Sequence, residues 1–291
     1  MRVTQSMLAQ NSLRNISSSY EKLGKYQDQL ATGKKITRPS DDPVVAMKGM
    51  YYRTNLTEVE QYKRNISEIY QWIENSEAGL EHTNQALQRT RELLVQASNG
   101  TNSGSDLEAI AAEIKQIKSD IVTVANTQVA GRYIFNGTVT DQPPVQDGDP
   151  PIATINTDSF MVEVSKGVKL RANVNANNVF GQDLFDTLQS IQNALESGNQ
   201  SNLSDLLKEL DGHLDQLNAE WSELGARYNR VEFVDNRIQN QEVIASRILS
   251  DNEDADMEKV IVDLKTQESV HRAALAAGSK IIQPTLVDFL R

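Results

Sequence analysis

The chain has 291 residues, of which 24% are charged, 38% hydrophobic and 5% aromatic, and its formal net charge is −11. That acidic balance argues against a nucleic-acid binder, which needs clustered Lys and Arg for phosphate contacts. The absence of cysteine excludes a thiol nucleophile and any cysteine-based metal site.

No apolar run approaches the ~18 residues of a membrane span, and the N-terminus lacks the apolar core of a cleaved general-secretion signal. The length allows two or three domains. Charge is uneven along it. Residues 1–40 carry Arg2, Arg14, Lys22, Lys25, Lys34, Lys35 and Arg38 against Glu21 and Asp28, whereas acids outnumber bases over 251–291. Opposite signs favour the two ends lying together, although salt screens such steering.

Residues 3–34 read as a helix with apolar residues in alternating steps of four and three: Ala9, Leu13, Ile16, Tyr20, Leu23, Leu30. The seam is thin and interrupted by serines, so this helix needs outside packing to be stable. Gly33 stops it. Asp42 then suits an N-cap and Pro43 the first helical position of a long helix running to about 99, with Gly49 a weak point. After the Asn99–Gly104 loop, Ser105-Asp106-Leu107-Glu108 predicts a capping box. The third helix carries Leu107, Ile110, Ile114, Ile117 and Ile121, and Gly131 closes it.

The pattern then shifts towards β structure. Tyr133 to Val139 predicts a hairpin around Asn136-Gly137. Residues 141–151 are loop, and strands are expected near Phe160–Ser165 and Val168–Val174 about a Lys166-Gly167 turn. Some 50 residues bury little surface alone, so the insert should lean on the helices. Helix resumes near Gln182 with Leu184, Leu188, Ile191 and Leu195, then over 203–249, and finally over about 256–283 after an acidic break at 251–256. The last helix has a broad apolar face, and Leu286, Val287, Phe289 and Leu290 follow it as an apolar tail.

Two 47-residue runs, 52–98 and 203–249, dominate this layout. Each repeats apolar residues about every 3.5 positions, which lays a narrow seam along a helix about 70 Å long. The first seam contains Leu56, Ile66, Ile73, Leu80, Leu87 and Leu94, alternating with Tyr70, Glu77, Asn84, Arg91 and Ser98. The second contains Leu210, Leu217, Trp221, Leu224, Val231 and Ile238. Neither hides its seam alone, so the two are expected to hide each other. The fold class is therefore mainly α: an elongated bundle of long antiparallel helices or coiled coil with a small β-rich insert. The expected divisions are 1–42, 43–131, 132–181, 182–250 and 251–291.

Candidate chemistry is sparse. His82, His213 and His271 each stand alone on a helix, without a second His at one-turn spacing. Asp41-Asp42 reads as a cap before it reads as a catalytic pair. The 251–256 acids and Asp147-Gly148-Asp149 lack the full spacing of a calcium loop. Asn136-Gly137-Thr138 matches a glycosylation sequon, but a turn explains it better. No phosphate-binding or nucleophile motif is present, so no catalytic residue, cofactor or metal is expected and an enzyme is disfavoured. A plain cytosolic coiled-coil scaffold fits the periodicity equally well.

Three stretches carry a family resemblance. Leu30-Ala31-Thr32-Gly33-Lys34-Lys35-Ile36 with Ser40-Asp41-Asp42-Pro43 looks like the N-terminal flagellin motif. The stretch from Leu87 to Asn102 (LQRTRELLVQASNGTN) resembles the second flagellin signature, and Leu224-Gly225-Ala226-Arg227-Tyr228-Asn229-Arg230 the C-terminal one. Within the bacterial flagellin superfamily, the opening Met1–Met7, the ending Ile282–Leu290 and the single insert followed by Val174–Leu184 look like the hook-associated proteins of the hook–filament junction. A short filament flagellin is the alternative.

The resemblance implies a structural protein exported unfolded by the flagellar type III apparatus and helped by an export chaperone. It would be secreted to the hook–filament junction of the bacterial flagellum. There it would polymerise with itself as a short ring between hook-associated protein 1 and flagellin. It also implies that 1–42, disordered in the free monomer, and 251–291 form an assembly layer. The residues expected to build that layer are Leu13, Ile16, Leu23, Leu30, Ile261, Leu264, Leu275 and Ile282.

Overall fold

The computed structural model describes residues 5–99, 103–198 and 202–282. The fold is mainly α. Its elements are α1 (Gln5–Thr32), α2 (Pro43–Ser98), α3 (Gly104–Ala125), β1 (Gln128–Val129), β2 (Arg132–Tyr133), β3 (Val145–Gln146), β4 (Ile152–Ala153), β5 (Met161–Ser165), β6 (Val168–Arg171), α4 (Asn177–Phe180), α5 (Gln182–Glu196), α6 (Leu203–Glu253) and α7 (Met257–Ile282). The chain divides into two compact units, 1–58 with 241–291 and 59–240. The divisions fall inside α2 and α6, so each long helix contributes to both units. The reading from sequence placed its cuts at 42 and 250 instead.

The 59–240 unit contains the one continuous apolar core among the described residues. On α2, Val59, Ile66, Ile73, Leu80, Leu87 and Leu94 are buried at strict seven-residue spacing. On α6, Leu203, Leu210, Leu217, Leu224, Val231 and Ile238 are buried at the same spacing. The two helices run antiparallel here. Arg91 Nε lies 2.6 Å from Asp211 Oδ1, and the Tyr70 and Tyr228 rings meet edge-on at 5.5 Å. Trp221 is half-buried against this core. Leu56 belongs to the other unit and is half-buried there.

The register of the second α2 series differs from the expected one. Tyr70, Glu77, Asn84, Arg91 and Ser98 are exposed or half-exposed. The buried companion line is Ile69, Ser76, Thr83, Thr90 and Ala97. An apolar count misses it because three of its members are hydroxyl residues. The Thr83 and Thr90 hydroxyls donate to the carbonyls of Gly79 and Ala86 within the helix, which makes their burial inexpensive. Beside this line a glycine admits a bulky neighbour. A Cβ on Gly79 would sit 2.7 Å from Phe135 Cζ, so glycine there makes room for the ring.

Helix α3 packs on α5 and completes the core with Ile110, Ile114, Ile121, Leu184, Leu188, Ile191 and Leu195. Its cap lies earlier than expected. Ser103, not Ser105, precedes the helix, and the Asp106 carboxylate accepts from the Ser103 backbone N–H at 3.0 Å and from its hydroxyl at 2.6 Å. The helix ends at Ala125, before Gly131.

The first hairpin is also displaced from its expected place. Strands β1 and β2 pair at Gln128↔Tyr133 and Val129↔Arg132. Ala130 and Gly131 form their turn, both with positive φ (51° and 77°). Two consecutive left-handed residues match the twist of a tight hairpin. Asn136-Gly137 forms a separate turn, closed by a Val139 N–H bond to Asn136 O at 2.9 Å. The Asn136 side chain is buried and bonded to Gln142 O and to the Asn156 N–H, so the sequon is closed to modification in this fold.

Strand β3 lies within the stretch expected to be loop and pairs with β4 just beyond it, and β5–β6 form the expected hairpin, which ends at Arg171 rather than Val174. The insert leans on the helices through Val145, Val162, Val164 and Leu170 in the shared core. Trp72 on α2 meets Phe160 at 5.0 Å, and Arg132 stacks 5.6 Å from the Trp72 ring centroid while pairing with Glu68. From α6, Arg227 pairs with Glu223 and donates to Asn173 O at 2.7 Å, tying the end of β6 to the helix.

Candidate assembly interface

The unit formed by 1–58 and 241–291 is built differently. Helices α1 and α7 lie antiparallel and close together. Close approach needs small residues at the contact, and α1 supplies Ser19 while α7 supplies Gly278. Gln267 Nε2 donates to Ser19 Oγ at 2.9 Å, and a Cβ on Gly278 would meet Ile16 Cδ1 at 3.1 Å. Tyr20 and His271 rings sit 6.0 Å apart.

A polar latch closes one end of the pair. Lys34 and Asp254 form an isolated antiparallel bridge, with Lys35 N–H bonded to Glu253 O at 2.7 Å and Ala255 N–H to Gly33 O at 2.8 Å. Gly33 makes this possible by adopting φ 69° at the end of α1. Lys34 Nζ then reaches Asp254 Oδ1 at 2.6 Å, and Arg53 reaches the buried Glu253 carboxylate at 2.7 Å. The Lys34 ammonium, helped by the Ser250 hydroxyl, holds the Asp254 carboxyl below the usual carboxylate range.

Gly49 is no weak point in α2: a Cβ there would lie 2.6 Å from Glu253 Oε1, so the glycine lets α6 approach. Asp42 caps α2 as expected, accepting from Val44 and Val45 N–H at 3.0 and 3.1 Å. Asp41 braces the preceding loop, and its carboxyl is lowered chiefly by the Arg38 N–H. The acids at 251–256 serve this latch and the start of α7, where Asp256 Oδ1 accepts from Lys259 N–H.

What the described residues of this unit lack is a continuous core. Among its described residues, the buried hydrophobic ones are Ala245, Val260 and Leu264. Of the proposed assembly residues, Leu13, Leu30, Ile261 and Leu275 are exposed, Leu13 at 57%. Ile16 and Leu23 are half-buried and Leu264 is buried within the unit. The Ile282 side chain lies outside the described residues.

The first turns of α2 add an exposed stripe that the sequence reading passed over: Val44, Met47 and Tyr51, the last 68% exposed, with Met50 beside them. Their i, i+3, i+7 spacing is visible in the sequence, but they lie ahead of the 52–98 seam.

His82 is exposed. The His213 ring makes a 3.1 Å hydrogen bond with the Thr187 hydroxyl, and burial pushes its imidazole below the usual histidine range, against the pull of Asp183 and Glu209. Asp149 pairs with Lys118 and Lys115 at 2.8 and 3.1 Å, and the Lys118 ammonium chiefly holds its carboxyl low. Lys118 is itself buried and also donates to Gln189 and Gln192. Among the described residues no group of three His, Asp or Glu converges as metal ligands, and no helix is long and apolar enough to cross a membrane.

The chain matches the bacterial flagellin N-terminal helical region over residues 3–140 and the bacterial flagellin C-terminal helical region over 207–290. It is 27% identical to flagellar hook-associated protein 3 of Escherichia coli, covering 95% of this chain and 96% of that one. It is 25% identical to a flagellin of Halalkalibacterium halodurans, over 95% and 94% of the two chains. The crystal structure of Bacillus cereus FlgL superposes with a TM-score of 0.60 at 26% identity, covering 69% of this chain and 99% of that one. The two matched regions hold α1 to α3 and β1–β2 on one side and most of α6 with α7 on the other, and the chain is a member of the bacterial flagellin family.

Proposed function

We propose that this protein is a structural adaptor of the bacterial flagellum that polymerises as a short ring at the hook–filament junction. The observation that carries the reading is the apolar surface left open on α1, α7 and the start of α2 after the chain has folded on itself. Burying such surface is worth roughly 25 cal/mol per Å², and neighbouring copies supply the missing cover. In this reading 1–42 and 251–291 form the assembly layer, with Leu13, Ile16, Leu23, Leu30, Ile261, Leu264, Leu275 and Ile282 in it. Residues 43–131 and 182–250 form the rod, and 132–181 projects from it. One face of the ring meets hook-associated protein 1 and the other meets flagellin. The chain leaves the cell through the flagellar export apparatus with a chaperone, and its weakly cored ends suit a chain that travels unfolded and orders on arrival. It has no enzymatic role.

Similarity to a flagellin of matching length supports one other reading, a short filament subunit. Immunogold labelling of isolated flagella separates the two. The adaptor reading expects one narrow band at the far end of the hook. Label along the whole filament would replace it with the second reading, and no label at all would remove both.

A further inference from the structure

Behind the latch lies a cavity of about 160 Å³ that the assembly reading leaves unexplained. Ile36, Pro39, Val45, Ala46 and Met50 give it an apolar lining, and Lys34, Arg38 and Arg53 stand at its edge. Two of those cations are committed: Lys34 pairs with Asp254 and Arg53 with Glu253. The Arg38 guanidinium has no carboxylate partner among the described residues. The volume is below the ~300–1,000 Å³ of sites for drug-sized ligands. It is close to the ~150 Å³ apolar cavity that holds one benzene ring. The site therefore suits a single aromatic side chain followed or preceded by an acid.

The chain contains such a pair in the tail beyond α7: Asp288-Phe289, flanked by Leu286, Val287 and Leu290. The opposite terminal segment, Met1-Arg2-Val3-Thr4, has a base and no acid, so it does not complement Arg38. Reach decides whose tail it is. Helix α7 has 26 residues and starts four positions after Glu253 in the cavity wall, so it carries its far end about 39 Å away. Gly278, packed on Ile16 sixteen residues before the end of α1, fixes that direction. Phe289 lies seven residues past Ile282 and reaches back at most about 24 Å. A chain's own Phe289 falls short of its own cavity.

We infer that this cavity receives Phe289 from a second copy of the chain, with Asp288 of that copy paired to Arg38. The inference rests on the assembly reading above and names one of its contacts.

The absence of cysteine makes the test clean. Two full-length versions, Met50→Cys and Leu290→Cys, are mixed and oxidised. A disulfide needs Cα atoms within about 7 Å, so the expected product is a mixed dimer joining the two. Adding Phe289→Ala to the tail-labelled chain lowers its yield at least ten-fold, and Asp288→Arg lowers it until Arg38→Asp on the other chain restores it. Ala46→Leu, which fills the cavity, has the same effect as Phe289→Ala. If Ala46→Leu fails to fold by its melting transition, Phe289→Ala decides alone, because it leaves the cavity untouched.

A mixed dimer no more abundant than that between Leu290→Cys and a surface control, Met161→Cys, overturns the inference. So does closure of the doubly substituted chain on itself as a monomer. A band of immunogold at the hook end without the cross-link removes only this contact. The cross-link without any flagellar label removes only the assembly reading.

Discussion

Helix α2 behaves in two ways along its length. From Val59 to Ala97 every seventh position counted from Val59 and from Ile69 is buried against a core supplied by the same chain. From Val44 to Tyr51, on the same unbroken helix, Val44, Met47, Met50 and Tyr51 stand in the open. Helix α6 repeats the contrast, with Leu203 to Ile238 buried at seven-residue spacing and Val243, Ile244 and Ile248 exposed. The difference teaches that helical apolar spacing announces a seam without saying which molecule covers it. In the 59–240 unit α3, α5 and the insert provide the cover. Among the described residues of the other unit, the chain supplies one thin partner, the α1–α7 pair.

Substitutions sharpen this contrast, beginning where the effect is largest. Leu80→Ala or Leu87→Ala removes a fully buried side chain from the 59–240 core and should cost about 2–5 kcal/mol, read from the denaturant midpoint. Leu13→Ala or Leu275→Ala should change the stability of the free protein by less than about 0.5 kcal/mol, as at other exposed positions, while reducing incorporation into flagella. Equal costs at both sets of positions would erase the distinction between the units.

Lys118→Met should come next. It removes a buried ammonium that serves Asp149, Gln189 and Gln192, at a cost of about 2–3 kcal/mol, and it should release the Asp147–Pro151 loop to proteolysis. Gly79→Ala sets crowding of Phe135, at about 1–3 kcal/mol, against a helix-propensity gain of about 1 kcal/mol. A small net loss in melting temperature is expected, and a gain would mean that Phe135 moves aside freely.

The smallest effect is a pH slope. Burial lowers the His213 pKa, so its folded-state value lies below the ~6.5 of the unfolded chain. The unfolded state therefore binds more protons on acidification. Stability is complete above about pH 6.5 and declines as pH falls below it. His213→Gln should flatten that decline in melting curves taken between about pH 5 and pH 7.

Much of this was legible in the chain. The seven-residue spacing of large aliphatic residues located both deep seams, and ten of the twelve expected rod-core residues are buried. Pro43 and Asp42 marked the start of α2, and the three flagellin-like stretches lie inside the matched terminal regions. The failures have physical causes. Ser76, Thr83 and Thr90 fall outside an apolar count, although threonine satisfies its hydroxyl within its own helix. The Asn-Gly turn signal outweighed Ala130-Gly131, because alanine at positive φ has no sequence signature. The latch joins residues 34–53 to 251–254, and no local pattern announces pairing across some 200 positions.

Hydrogen exchange on the free protein and on the protein within isolated flagella tests the central claim most directly. The account predicts that amides of 66–97 and 203–238 are strongly protected in both states. Those of 7–30 and 257–279 should be weakly protected in the free chain and gain protection on assembly. If α1 and α7 were already as protected in the free chain as the core helices, and unchanged in the flagellum, their open faces would not be waiting for other copies.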